Sequence, residues 1–232
     1  MSAIKILSVS DIELGIIYSP QIVDRFGDID VVISCGDLPY YYLEYIVSML
    51  DVPLYYVRGN HAHPVEMGAN GPRSSPWGAI DLHARTTRDD TGLLLAGIEG
   101  SVRYNRGPYQ YTQSEMWGHV FRLIPGLYWN KLRYGRYLDA FVTHASPWGI
   151  HDMEDLPHHG IKAFRWLIQV FQPRLHLHGH IHVYRRDTPT QTEAGTTSVV
   201  NTYGFRETVL DEPQLKPIRQ PRRLFYRGEP PC

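Results

Sequence analysis

The chain has 232 residues, 43% of them apolar and 20% charged, with a formal net charge of −1 at pH 7. That length suits one domain with a sizeable core, and the near-neutral balance gives no overall field to draw in nucleic acid or an anionic membrane. Two cysteines, Cys35 and Cys232, make no disulfide framework, and no apolar run nears the roughly 18 residues of a membrane span.

Ile4 to Val9 reads as a strand entered at once, with no signal-peptide layout before it. A reducing, cytoplasmic setting is therefore expected. Pro20 to Phe26 suits a short helix with proline near its first turn, Val31 to Ser34 a β-branched strand, Tyr40 to Leu50 a helix and Pro53 to Val57 another strand. Strands spaced by helices in this way point to parallel βαβ units buried on both faces. Residues 64 to 92, rich in Gly, Pro, Ser and Asp, read as a long loop or insertion. Leu93 to Gly97 returns to strand, and Thr112 to Glu115 spells a capping box that opens a helix expected to bend or stop at Pro125. Ala140 to Thr143 is a strand ending in His144, and His158 to Phe171 an amphipathic helix. Leu175 to Leu177, Val183 to Asp187, Thr197 to Asn201 and Glu207 to Leu210 are strand-like. The division expected is one domain over 1–210 and a Pro/Arg-rich tail over 211–232, docked on the domain or on a neighbouring subunit.

Polar residues follow the apolar strands directly: Asp11, Asp37, Asn60 with His61, His144, and the run from His178 to His182. In open α/β sheets, ligands sit beyond the carboxyl ends of strands, so these five endings can converge on one edge.

In this order they resemble the calcineurin-like metallophosphoesterase pattern, carried by Asp11-Ile12-Glu13, Gly36-Asp37, Gly59-Asn60-His61-Ala62, His144 and Gly179-His180-Ile181-His182. Each motif alone is weak; five in order, each after a strand, are specific. The resemblance implies an α/β fold with a layered β-sheet sandwich core flanked by helices. It also implies a dinuclear metal centre bridged by Asp37, with Asp11, Glu13 and His182 on one ion and Asn60, His144 and His180 on the other. A bridging water would be the nucleophile and His61 the catalytic group that protonates the leaving oxygen. Thr143 to Pro147 and Gly149 to Asp152 look most like the branch of the mammalian metallophosphoesterase-domain proteins, which favours a phosphodiester such as a cyclic nucleotide over a phosphomonoester.

Two residues depart from the pattern. Glu13 stands where the family usually has His, and a carboxylate there favours Mn²⁺ or Fe²⁺ over Zn²⁺ or Ni²⁺. Ala62 stands where an acidic residue would orient His61; His63 and Glu66 are the nearby substitutes. Both departures also suit a rival, a binding or scaffold protein that keeps the fold without turnover, as the retromer's phosphoesterase-like subunit does. The full set of Asp, Asn and His residues argues for the enzyme.

Arg58, Arg103 and Arg106 are candidates for substrate phosphate, since guanidinium matches phosphate bidentately, although solvated surface arginine explains each equally well. His176 and His178 read as packing residues, because Gly179 breaks the strand before His180. Cys35 reads as a buried free thiol, and Tyr40 to Tyr42 as core rather than a base-stacking platform. The partner expected is a small phosphoester or nucleotide, with no membrane, no nucleic acid and, at most, a second copy of the chain.

Overall fold

Alternating apolar residues put two faces on each strand, and here both faces find a partner. In the computed structural model, which describes residues 3–68, 71–185 and 187–211, β1 (Ala3–Ser10) leads through α1 (Gln21–Phe26) to β2 (Val31–Ser34), then through α2 (Tyr40–Leu50) to β3 (Leu54–Tyr56). Short strands β4 (Glu66–Gly68), β5 (Gly71–Arg73), β6 (Ala79–Asp81) and β7 (Arg85–Arg88) precede β8 (Leu94–Ile98), β9 (Ser101–Val102) and β10 (Gln110–Tyr111). The long helix α3 (Gln113–Tyr134), β11 (Ala140–Thr143), α4 (Lys162–Phe171), β12 (Leu175–His178), β13 (Gln191–Ala194), β14 (Thr197–Asn201) and β15 (Gly204–Asp211) complete the described chain.

The strands form two large sheets, ordered β15-β1-β2-β3-β6 and β13-β14-β12-β11-β8-β7. The inner strands of both run parallel, and β15, β13 and β7 close three of the four edges in antiparallel pairing. One face of each sheet meets the other: Ile4, Ile6 and Ile33 of the first sheet share a core with Leu95, Val142 and Leu177 of the second. The opposite face of the first sheet, with Leu7, Val9 and Val32, packs on Ile22, Phe26, Leu43 and Ile46 of α1 and α2. That of the second, with Ala96 and Phe141, packs on Leu123, Leu127, Phe164 and Leu167 of α3 and α4. The result is the helix–sheet–sheet–helix layering of a β-sandwich flanked by helices, as the family resemblance implied.

Three readings of the sequence need correction. Residues 64 to 92 are not a loop throughout: β6 and β7 each add an edge to a large sheet, and β4 and β5 pair as a hairpin. Edge strands bury one side only, so they lack the apolar runs that announce inner strands. Among the described residues, Val183 to Arg185 and Asp187 are not in a strand, and the edge partner of β14 is Gln191–Ala194 instead. The helix opened by the Thr112 capping box does not stop at Pro125 but runs on to Tyr134. Packing of Leu123 and Leu127 on either side outweighs the backbone hydrogen bond that proline forfeits. The tail expected to dock lies outside the described residues.

Buried histidine marks one consequence for stability. His176 is wholly buried against Phe141, with ring centroids 4.9 Å apart, and its Nε2 lies 2.8 Å from Thr143 Oγ1. Because Thr143 gives its own proton to Ala145 O, Nε2 is the donor in this pair. Burial, reinforced by the His151 charge, lowers the His176 pKa from 6.5 to about 3. The unfolded chain therefore takes up a proton as pH falls below 6.5 while the folded chain resists until about 3, so stability present above that window is lost on acidification through it. The melting temperature should fall between neutral pH and pH ~4, and His176→Phe should flatten that fall. An unchanged slope in the variant would clear His176 of the effect.

Candidate metal centre

Parallel strands of both sheets point their carboxyl ends the same way, and the turns that follow them carry the site. Asp11 follows β1, Asp37 follows β2, Asn60 and His61 follow β3, His144 follows β11 and His180 follows β12. The backbones there are strained: Asp11, Asp37 and His180 have φ of 67°, 55° and 67°, a left-handed conformation that costs a non-glycine residue energy and tends to mark functional sites. Glycine makes room for the turns. Gly36 has φ 99°, and a Cβ on Gly59 would lie 2.0 Å from Asp37 Oδ1.

Three acceptor atoms meet at the centre. His144 is fully buried, and its Nδ1 donates to Cys35 O at 2.8 Å, which leaves the Nε2 lone pair facing inward. That Nε2 lies 3.1 Å from Asp37 Oδ2 and 3.0 Å from Asn60 Oδ1, while Asn60 Nδ2 donates to Tyr104 Oη. His180 Nε2 donates to Pro157 O at 2.8 Å, freeing its Nδ1. Asp37, His144 and His180 each offer a ligand atom within 4.8 Å of the others, the one such group of three among the described residues. Converging lone pairs repel unless a cation sits among them, and a divalent ion fits this donor set of carboxylate oxygen, amide oxygen and imidazole nitrogen.

When no ion is bound, a proton on His144 Nε2, directed at Asp37 Oδ2, takes the cation's place, and a metal would have to displace it. Burial opposes charge on both partners, yet the Asp37 carboxylate raises the His144 pKa from 6.5 to about 9. Against its own burial, Asp37 is held down at about 2 by the His144 charge and by hydrogen bonds from His144 and the His61 N–H. Asp11 is pushed up by burial, partly offset by the His144 charge and the Ser10 hydroxyl. Both its carboxylate oxygens accept from His180 N–H, at 3.0 and 3.1 Å.

The remaining predicted residues are more dispersed. His182 Nε2 stands 4.0 Å from Asp11 Oδ1, its ring half exposed and its Nδ1 2.8 Å from Tyr184 Oη. Glu13 accepts from the Tyr41 hydroxyl and, with Asp37, His61 and Glu66, lines a cavity of about 280 Å³ beside the centre. His61 is exposed at the mouth of that cavity, and Glu66 receives the Tyr40 N–H at 2.9 Å. Arg58 is committed elsewhere: it pairs with Asp81 at 2.6 Å and Glu99 at 3.3 Å, with its side chain 14% exposed. Arg103 pairs with Glu115 at the start of α3, and Arg106 is exposed. His176 and His178 sit on the helix side of β12, away from the centre, with His178 Nε2 2.9 Å from His151 Nδ1. Tyr104, Tyr41 and Tyr184, which hold Asn60, Glu13 and His182, lie outside the five short motifs, and Tyr41, read as core with Tyr40 and Tyr42, is 44% exposed and turned to Glu13 instead.

The family model for calcineurin-like phosphoesterases matches residues 4–184. The chain belongs to that family. No curated protein sequence matches it. Among solved structures, this phosphoesterase-family chain is similar to TT1561 of Thermus thermophilus, at 16% identity and a TM-score of 0.58, over 90% of this chain and 99% of that one. It is also similar to GAP50, the anchor in the inner membrane complex of Plasmodium, at 12% identity and a TM-score of 0.49, over 87% of this chain and 71% of that one. A conserved protein of Streptococcus pneumoniae TIGR4, described as a predicted phosphoesterase, shares 13% identity at a TM-score of 0.42, over 91% of this chain and 85% of that one. At 16% identity the likeness to TT1561 is one of fold alone. In this phosphoesterase fold β13, β14 and β15 lie beyond the family match; β15 forms one edge of the first sheet, and β14 and β13 extend the second to one of its edges.

Gly59→Ala provides a test of the turn. A Cβ there would also lie 2.7 Å from Asp37 N, so the Asp37 carboxylate or its turn must move. The variant is expected to keep its circular-dichroism spectrum and to lose most of its bound metal; full metal content would show that the turn yields without cost.

Proposed function

We propose that the protein is a metal-dependent phosphoester hydrolase with a dinuclear centre. The observation that carries this is the meeting of His144 Nε2, Asp37 Oδ2 and Asn60 Oδ1 within about hydrogen-bond distance, an arrangement suited to a divalent cation. Asp37, Asn60, His144 and His180 would hold one ion, and Asp11, Glu13, His182 and the shared Asp37 the other. When bound, two such ions supply the positive charge that neutralises phosphoryl oxygens and makes water acidic enough to attack at neutral pH.

The chain's own residues do the rest. Cys35 O and Pro157 O fix the tautomers of His144 and His180, so that each keeps a lone pair for the centre. His61, at the cavity mouth, gives its proton to the leaving oxygen. The cavity of about 280 Å³ on the Glu13 side and one of about 240 Å³ on the His182 side, lined by Met153, Asp155, His158 and Tyr184, leave room for an ester group on either flank. That two-sided opening supports a phosphodiester over a phosphomonoester. A carboxylate at Glu13 supports Mn²⁺ or Fe²⁺ over Zn²⁺.

Purified protein should bind close to two equivalents of Mn²⁺ and then release nitrophenol from bis(nitrophenyl) phosphate. Glu13→Ala should lose one equivalent; unchanged content would place Glu13 outside the ligand set. Metal binding without hydrolysis of any mono- or diester would favour the scaffold reading that Ala62 invites.

A further inference from the structure

A helix packed on one side of a sheet ordinarily turns a polar face to water, and α3 does not. Its inward residues Met116, Val120, Leu123 and Leu127 are buried on the second sheet. Its outward residues are apolar too: Phe121, Tyr128, Trp129 and Leu132 are 52%, 56%, 62% and 82% exposed. At 100° per residue these four fall on the arc opposite the core, with Pro125 among them. Val170 of α4, 47% exposed, and the Trp166 ring, 6.1 Å from Phe121, carry the apolar surface onto the neighbouring helix. A patch of this kind marks a surface that something covers.

Charge says what covers it. Arg122, Lys131 and Arg133 flank the stripe and are exposed, and no acidic residue occurs between Met116 and Leu138. At the C-terminal end of α3, Lys131, Arg136 and Arg174 line a cavity of about 310 Å³. The one carboxylate there, Asp139, is buried and engaged by Arg136 through bonds of 2.7 to 3.0 Å. A second copy docked face to face would set these cations against themselves. The chain's own 212–232 segment, with five basic and two acidic residues, is also positive. A convex helix face bearing Trp, Tyr, Phe and Leu between basic flanks has the make-up of a surface that lies in a lipid headgroup layer.

We propose that the outward face of α3 docks the protein on an anionic lipid surface, with Trp129 and Leu132 entering the headgroup layer and Arg122, Lys131 and Arg133 meeting lipid phosphates and carboxylates. No helix of the described residues is long and apolar enough to cross a membrane, so the protein lies on the surface. The net charge of −1 conceals this patch because the acidic residues sit elsewhere. The inference stands independently of the proposed hydrolysis.

Co-sedimentation of the full chain with vesicles tests it. The protein should pellet with phosphatidylcholine vesicles containing about 30 mol% phosphatidylserine, not with pure phosphatidylcholine, and added salt should release it. Lys131→Glu with Arg133→Glu should weaken binding at least about tenfold, since each basic residue near such a surface contributes roughly fivefold. Trp129→Ser with Leu132→Ser should abolish it while the melting temperature holds. No pelleting, or pelleting that survives both double variants and so belongs to the basic tail, overturns the proposal. So does a dimer in light scattering that the Trp129→Ser, Leu132→Ser protein loses, for the face would then be a contact between copies.

Discussion

Asp37→Ala is expected to strip the protein of most of its metal and to lower hydrolysis by at least about 10²–10³-fold, with little change in folding. Asp37 is the carboxylate that meets both His144 and the turn carrying His61. Its Oδ2 lies 3.1 Å from His144 Nε2, and its Oδ1 accepts the His61 N–H at 2.9 Å. Removing one partner of a buried ion pair ordinarily destabilises strongly, because the charge left behind has no counterpart. Here the surviving partner is an imidazole whose pKa of about 9 depends chiefly on Asp37 against the pull of burial. Without the carboxylate His144 sheds its proton, and the cost is limited to that of a neutral buried ring still bonded to Cys35 O. Metal content and a melting curve check both halves. A variant that keeps its full metal complement would remove Asp37 from the role of shared ligand, and one that fails to fold would show that the carboxylate holds the turns together.

Which parts of this centre were legible in advance follows from how its turns are built. Inner parallel strands such as Val31–Ser34 and Ala140–Thr143 are buried throughout, so the change from apolar run to Asp37 or His144 is abrupt in the sequence and locates the site. Edge strands give no such contrast. Gln191–Ala194 alternates exposed and half-buried positions and reads as polar chain, and Arg85–Arg88 carries two arginines and two threonines. Pro125 misled for a related reason: local propensity reports what one residue prefers, whereas the packing of α3 along its whole length decides where the helix ends. Arg58 shows the limit most sharply. A guanidinium beside Asn60 suits phosphate on paper, but Asp81 and Glu99, distant in sequence, claim it. The tyrosines that hold Asn60 and Glu13 arrive from elsewhere in the chain, Tyr104 from the segment after β9 and Tyr41 from the first turn of α2, and nothing in a short motif encodes such a meeting.

His61→Ala is expected to leave metal binding intact and to slow hydrolysis by about 10²–10⁴-fold for esters with poor leaving groups, with a much smaller loss for nitrophenyl esters. The structural role of this residue and the catalytic one proposed for it are separable because they use different atoms. Its backbone N–H bonds Asp37 Oδ1 and helps fix the carboxylate, and alanine retains that group. Its imidazole stands exposed at the cavity that Asp37 and Glu13 also line, and alanine removes it without opening a void in the core. An alkoxide must take a proton as it departs, whereas nitrophenolate leaves readily without one, so the loss should grow with the pKa of the leaving alcohol. Ala62 supplies no carboxylate to orient the ring, and Glu66, in the same cavity, already accepts the Tyr40 N–H. The wild-type advantage therefore belongs at the lower end of that range, and Ala62→Asp should raise it. Rates for a series of aryl and alkyl esters, each measured at saturating Mn²⁺, give the slope directly. An equal loss across the series would make His61 a positioning residue for the phosphoryl group, with the proton coming from solvent.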